Sequence, residues 1–168
     1  MEKEISDILW EDASELDEAI VKLGDALDVK ASIVLILVTL LGAISGPILV
    51  LAGLPQQVKI AQCFAVAALT LAVYFSLVVL WPSDFSMPPD TDSWEQFVWE
   101  TGAEQHNNAE AIATELRASR IRLAKKRIAS NQKITVRKAR FNQYAFYATA
   151  AAIVLDVATL IWLAYTHF

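Results

Sequence analysis

Three long apolar stretches alternate with strongly charged segments along this chain. Residues 31–58 and 60–81 contain no charged side chain apart from Lys59 between them, and residues 143–167 contain only Asp156 and His167. A helix needs about 20 apolar residues to cross the hydrocarbon of a bilayer. The pattern therefore predicts an all-α membrane protein with transmembrane helices at 31–54, 60–81 and 143–167. The composition agrees, with 55% hydrophobic residues and a mean hydropathy of +0.40.

The segment before the first span is predicted to be an acidic amphipathic helix over residues 1–30. Its apolar residues recur at helical spacing and acids occupy the other faces; they are Ile5, Leu9, Leu16, Ile20, Leu23 and Leu27. Nothing breaks the pattern before residue 31, so this helix is expected to run into the first span. Gly46-Pro47 lies within that span and predicts a kink or an early end.

Residues 82–142 are predicted to form a linker, a short helix and a long basic helix. Pro88-Pro89 marks the linker, and a capping pattern starts the short helix over 93–101. The long helix has no Gly or Pro between 103 and 144, and its inner face is marked by Ile112, Leu116, Leu123, Ile128 and Ile134. It is expected to continue into the last span. We expect the two extensions to pair as an antiparallel helical bundle, with charges flanking an apolar seam.

Charge predicts the orientation of the chain. Its net charge is −5, but residues 117–140 hold ten bases and no acid. Lys and Arg favour the cytoplasmic side of a membrane, so residues 82–142 and the N-terminus are expected inside the cell and the C-terminus outside.

The chain lacks the usual signatures of catalysis. It has no phosphate-binding glycine loop, no paired cysteines and no nucleophile motif. The basic run is not accompanied by a recognition module for DNA or RNA. We therefore predict no enzymatic activity, no cofactor or metal, and no nucleic-acid partner.

Asp156 is the main candidate within the membrane. A carboxylate near the middle of a span costs about 3 kcal/mol. One interpretation is a residue that lines a pore or controls assembly. The other is a protonated side chain that is hydrogen-bonded inside the bundle, with candidate partners Thr39, Ser45, Thr70, Ser76 and Thr159.

The basic helix has three candidate roles: pairing with the acidic leader, binding lipid headgroups, or holding a phosphate-bearing ligand. Residues 133–140 adjoin the last span, where an anionic leaflet attracts bases. The upper part is better placed for the leader or a soluble anion. The candidate ligand-binding residues are Arg117, Arg120, Arg122, Lys125 and Lys126.

A short motif lies where the leader meets the first span. Its sequence is Leu-Asp-Val-Lys-Ala-Ser at residues 27–32. It resembles the opening of the small transmembrane effectors of bacterial Pycsar anti-phage systems, and the order of spans and helices that follows is similar. The positions that carry the resemblance are Asp28, Lys30, Ala31, Ser32, Asn131 and Lys138.

The resemblance implies a membrane effector that responds to cyclic UMP or cyclic CMP made by a partner cyclase. Such an effector would sense the nucleotide through its cytoplasmic helices, disrupt the bacterial inner membrane and cause abortive infection. Three spans cannot enclose a wide channel, so a pore would require a homo-oligomer. The alternative is a non-sensing membrane assembly or scaffold protein whose cytoplasmic helical hairpin docks a soluble partner.

Overall fold

The described part of the chain folds into three helices. The computed structural model describes residues 2–50, 54–83, 85 and 109–167. Helix α1 spans Glu2–Val50, α2 spans Gln56–Leu80 and α3 spans Ala109–His167. The predicted all-α membrane class is confirmed, since each of the three helices includes a segment long and apolar enough to cross a membrane. The short helix predicted over 93–101 lies outside the described residues.

Both long helices are continuous where continuity was predicted. Helix α1 passes from the charged leader into the first apolar stretch without a break, and α3 does the same from the basic run into the last stretch. Pro47 lies inside α1, which continues to Val50. The early end predicted at Pro47 is therefore not observed, and a kink there stays a prediction.

The described chain forms two compact units. The first comprises residues 1–24 and 83–135, and the second comprises residues 25–82 and 136–168. Helices α1 and α3 contribute to both units, whereas α2 belongs to the second.

In the second unit, the buried positions of all three helices follow a heptad pattern. They alternate at spacings of three and four residues, which is the pattern of left-handed coiled-coil packing. In α1 the seam is Leu27, Ala31, Val34, Val38, Leu41, Ser45 and Ile48; in α2 it is Val58, Gln62, Ala65, Leu69, Ala72, Ser76 and Val79; in α3 it is Lys138, Asn142, Ala145, Thr149, Ala152, Asp156 and Thr159.

These seams are small or polar, whereas the outer faces are large and apolar. Fully buried alanines such as Ala31, Ala72 and Ala145 allow close helix approach, as is typical of helices in lipid. Large apolar side chains point outward instead, among them Ile36, Leu40, Phe64, Val154 and Ile161. Polar residues inside and apolar residues outside are the arrangement a bilayer requires, so burial supports the membrane assignment independently of hydropathy.

The predicted antiparallel pairing of the two extensions is wrong, because α1 and α3 run parallel. In the first unit Asp17 pairs with Arg127, and the Thr135 hydroxyl donates to the Ile20 carbonyl. The sequence separations of these pairs are 110 and 115 residues. A nearly constant separation means that both helices advance in the same direction. The physical reason is that one span, α2, lies between α1 and α3 along the chain. The chain returns across the membrane in α2, so the first and third spans cross it in the same direction.

The leader helix buries only part of the predicted apolar face, since Leu27 is buried and Ile20 is half-buried. Leu9, Leu16 and Leu23 are 50%, 52% and 52% exposed, whereas Asp17 and Gly24 are buried. On α3, Leu123 is likewise exposed, at 44%. Gly24 shows why small residues occupy the seam: a Cβ added there would lie 2.7 Å from Phe85 Cζ. Close packing at this position therefore excludes a larger side chain.

Candidate functional site

A buried ion-pair network joins α1 and α3 in the first unit. Arg127 Nε donates to Asp17 Oδ2 at 2.8 Å, and Asn131 Nδ2 donates to Asp17 Oδ1 at 2.9 Å. The side chains of Arg127 and Asp17 are only 9% and 11% exposed. Both carboxylate oxygens therefore have partners away from bulk water. We define Asp17, Arg127 and Asn131 as the seam network.

The buried charges of the seam network favour one register of α1 against α3 and do not simply strengthen the contact. Desolvating two charges costs several kcal/mol per ion, and their attraction repays this only when both partners are correctly placed. Sliding one helix by a turn would leave Arg127 without its carboxylate. The seam network thus holds α1 and α3 in register within this unit. Sequence reasoning placed such charges beside an apolar seam, whereas these lie inside it.

The five predicted ligand-binding bases do not form one cluster. Arg117 is half-buried, whereas Arg120, Arg122, Lys125 and Lys126 are exposed. At about 100° per residue, Arg122 lies about 200° around the helix axis from Arg120. The Arg120 guanidinium lies 5.2 Å from the centroid of the Trp10 ring, on the side that faces α1.

Arg127 is the base that the candidate set missed. It lies seven residues after Arg120 and so projects from nearly the same side of α3. The signal that identifies it is Asp17, an acid spaced by seven residues from Gly24 and by fourteen from Ala31. A carboxylate on a heptad seam requires a basic or donor partner from the facing helix.

The residues that carry the family resemblance lie mostly at contacts between α1 and α3. In the second unit, Lys138 Nζ lies 2.8 Å from both carboxylate oxygens of Asp28. Ser32 Oγ donates to the Asp28 carbonyl at 3.0 Å, and Ala31 is fully buried. Asn131 belongs to the seam network of the first unit, whereas Lys30 is exposed. Asp28 and Lys138 therefore pair α1 with α3, whereas the Ser32 hydrogen bond lies within α1.

Asp156 is buried between helices in the second unit and is 3% exposed. Ser45 Oγ lies 2.7 Å from Asp156 Oδ2 and 3.0 Å from the Leu41 carbonyl. Ser45 is one of the five partners predicted for a hydrogen-bonded Asp156. Asp156 Oδ1 has no hydrogen-bond partner among the described residues.

Comparison with known proteins is decisive at the level of family. The sequence model of the Pycsar effector protein domain matches residues 12–165. No curated protein and no solved structure matches the chain. The matched range covers the seam network, the Asp28–Lys138 pair, the first two apolar stretches and the third as far as residue 165. The chain therefore belongs to the Pycsar effector family, and its three apolar helices make it a membrane effector of anti-phage defence.

Proposed function

We propose that this effector senses a cyclic pyrimidine nucleotide, cyclic UMP or cyclic CMP, supplied by a partner cyclase. In this proposal, binding occurs on helices in the cytoplasm and leads to disruption of the bacterial inner membrane and abortive infection. The N-terminus is cytoplasmic and the C-terminus lies outside. Family membership supports the effector role, and the seam network is the observation that carries the sensing step.

An incoming anion could bind Arg127 by displacing the carboxylate of Asp17. Arg127 is satisfied by the single carboxylate of Asp17, and exposed bases lie nearby on the same helix. A cyclic phosphodiester carries one negative charge and oxygen acceptors, as the carboxylate does. If it took Asp17's place on Arg127, the contact of Asp17 with Asn131 would be released as well. Guanidinium groups are well suited to both anions.

Displacement of Asp17 would alter the pairing of α1 and α3, and both helices continue into membrane spans. Helix α1 carries Asp17 and Ser45, and α3 carries Arg127 and Asp156. Both helices are unbroken between those positions. A ligand shifts a conformational equilibrium only by its differential affinity for the two states. Here the difference would come from exchanging an internal carboxylate for the nucleotide phosphate.

The sensing step can be tested by charge reversal on α3. We expect Arg120→Glu with Lys125→Glu to weaken binding of cyclic UMP or cyclic CMP at least about tenfold, because two attractive charges become repulsive. Calorimetry of the detergent-purified protein measures the affinity, and growth arrest on co-expression of a pyrimidine cyclase measures toxicity. The matched control is Lys22→Glu with Lys133→Glu, which reverses two exposed charges outside the candidate set. Wild-type affinity and toxicity in the first variant would refute the site.

We propose further that the effector acts as a homo-oligomer, and the exposed leucine stripe supports this. The stripe is defined as Leu9, Leu16 and Leu23, which are spaced by seven residues and about half exposed. It lies on the leader, outside the three apolar stretches, so lipid does not account for it. Leucines at heptad spacing are typical of a surface that packs against another helix.

Charge favours a second copy of the chain as the partner of this stripe. Exposed acids such as Asp12 and Glu15 lie next to it, and exposed bases such as Lys125 and Lys126 lie on α3. Residues 86–108 contain five acids and no base, so they would repel the acidic leader. An acidic face of one copy against a basic face of the next is a head-to-tail contact, which can close into a ring.

Substituting the central leucine is expected to abolish self-association. Leu16→Asp places a charge in the stripe, where it would have to be desolvated, so we expect the assembly to dissociate to monomers. Light scattering after size-exclusion chromatography, corrected for detergent, measures the mass. Ser14→Asp adds the same charge to an exposed position off the stripe and is expected to leave the mass unchanged. Equal masses for wild type and Leu16→Asp would contradict the interface.

The second candidate function is a membrane scaffold without a sensing role, whose helices dock a soluble partner. The same leucine stripe favours it, since an exposed apolar face serves either partner. A monomeric wild-type protein that gives no heat with any cyclic mononucleotide would support the scaffold over the effector.

A further inference from the structure

A layer of polar residues crosses the three-helix seam inside the apolar part of the second unit. Phe75 of α2 lies 6.0 Å from Phe141 and 5.6 Å from Tyr144 of α3, measured between ring centroids. The short connection between α1 and α2 makes α2 antiparallel to its neighbours. These contacts place Phe75 level with the 141–144 turn of α3, near residue 143. Moving thirteen residues back along α2 to Gln62 therefore corresponds to moving about thirteen forward along α3 from residue 143, to Asp156.

The hydrogen-bonding capacity of this layer exceeds what the protein supplies. Gln62 is fully buried, and neither its amide nitrogen nor its amide oxygen has a partner among the described residues. Asp156 Oδ1 is also unpaired. Ser45 Oγ has one proton but two oxygens within reach, the Leu41 carbonyl and Asp156 Oδ2. In hydrocarbon there is no bulk water to satisfy these atoms.

The layer also lacks a protein counter-charge. The buried base of this unit, Lys138, is eighteen residues from Asp156 along α3, roughly 27 Å away by helix rise. Lys138 is already held by Asp28. Lys59 is exposed and does not belong to the buried face of α2. Within the described seam, an ionised Asp156 would therefore need a partner from outside the chain.

We propose that Ser45, Gln62 and Asp156 bind a small monovalent cation of the sodium type. Its ligands are Asp156 Oδ1, the Gln62 amide oxygen and Ser45 Oγ, all hard oxygen donors of the kind that such ions take. The Ser45 hydroxyl can keep donating its proton to Asp156 Oδ2 or to the Leu41 carbonyl while a lone pair of its oxygen faces the cation. One carboxylate balances one positive charge, which favours a monovalent ion over a divalent one.

A second polar pair in the same seam provides an internal control. Ser76 Oγ and Asn142 Oδ1 are also buried and unpaired, and the same register places them level with each other. This pair contains no carboxylate. It has no charge to balance, so we assign it water rather than a cation.

Sodium binding can be measured directly on the full chain in detergent micelles. Replacing choline chloride by sodium chloride at constant ionic strength should raise the thermal midpoint of the wild type by roughly 5 °C at saturating ion. Equilibrium dialysis with radioactive sodium should find one ion per chain. Asp156→Asn and Gln62→Leu should lose both effects, and Ser76→Ala should keep both.

Three results would overturn the site. The first is wild-type protein that binds no sodium and has the same midpoint in choline. The second is a midpoint that follows pH and not sodium, which would assign the position to a proton. Sodium binding retained by Asp156→Asn and Gln62→Leu would place the ion elsewhere. Should Asp156→Asn fail to fold, Gln62→Leu carries the comparison, because it leaves the Ser45–Asp156 contact in place.

Discussion

Protein in which Asp17 is replaced by alanine is expected to unfold at a markedly lower temperature than the wild type. The substitution leaves the guanidinium of Arg127 buried without its carboxylate and removes the acceptor of the Asn131 amide. Breaking a buried pair by removing one partner costs about 3–5 kcal/mol. For a chain of this size, that corresponds to a fall of roughly 10 °C in the thermal midpoint, measured by circular dichroism in detergent.

Two further variants separate the buried charge from general damage to α1. Combining Asp17→Ala with Arg127→Met should recover most of the loss, because an apolar replacement of both partners leaves no uncompensated charge. Glu18→Ala is the matched control, one residue away. A hydrogen bond from Lys22 and its charge hold the pKa of Glu18 below its ordinary value, but both side chains are well exposed. Solvent screens such pairs, so no measurable change is expected.

A further substitution at Asp17 tests the link between stability and sensing. If Asp17 competes with the nucleotide for Arg127, Asp17→Asn should bind the nucleotide more tightly than the wild type despite its lower stability. An Asp17→Ala protein as stable as Glu18→Ala would mean that the seam network does not hold α1 and α3 together.

Loss of the Lys138 ammonium is expected to produce the second large effect. Lys138→Met leaves Asp28 without the base that lies 2.8 Å from both its oxygens. The Lys138 side chain is 7% exposed, whereas that of Asp28 is 35% exposed. Water can therefore partly solvate the stranded carboxylate, and we expect a loss of about 2–3 kcal/mol, less than at Asp17.

The control for Lys138 lies on the same helix. Arg140→Met removes an exposed base two residues further on, and we expect it to leave the thermal midpoint unchanged. Lys138→Met with Asp28→Leu should recover part of the stability. Equal losses for Lys138→Met and Arg140→Met would show that the helix needs its basic charge in general and not the specific pair.

The candidate site was only partly predictable from sequence. The motif at 27–32 and the positions Asn131 and Lys138 carry the family resemblance, and the structure explains Asp28, Asn131 and Lys138 as contacts between α1 and α3. Arg127 and Asp17 were not selected, because each is one charge among many in its segment. Only the facing helix distinguishes a buried Asp17 from an exposed Glu18. Gln62 was overlooked because a single uncharged amide hardly alters the hydropathy of α2.

Apolar periodicity also misassigned part of the buried face of the leader. Leu9, Leu16 and Leu23 form the most apolar stripe, yet the structure buries Asp17 and Gly24 instead. Periodicity identifies a face that avoids water, but not which partner covers it. Which face of the leader is buried depends on how closely the partner helix can approach it and on the charges that the partner helix carries.

The sequence by itself determined three membrane helices and the continuity of the first and third with their charged extensions. Both follow from local properties, since hydrocarbon thickness sets the length of an apolar stretch and helix propagation stops only at breakers. The parallel course of α1 and α3 follows from the single span that lies between them in the chain. The tertiary structure alone decided that their ion pairs lie inside the seam and that Ser45 and Asp156 meet there. Those features depend on residues more than a hundred positions apart, whose encounter is set by the number of spans between them and by helix packing.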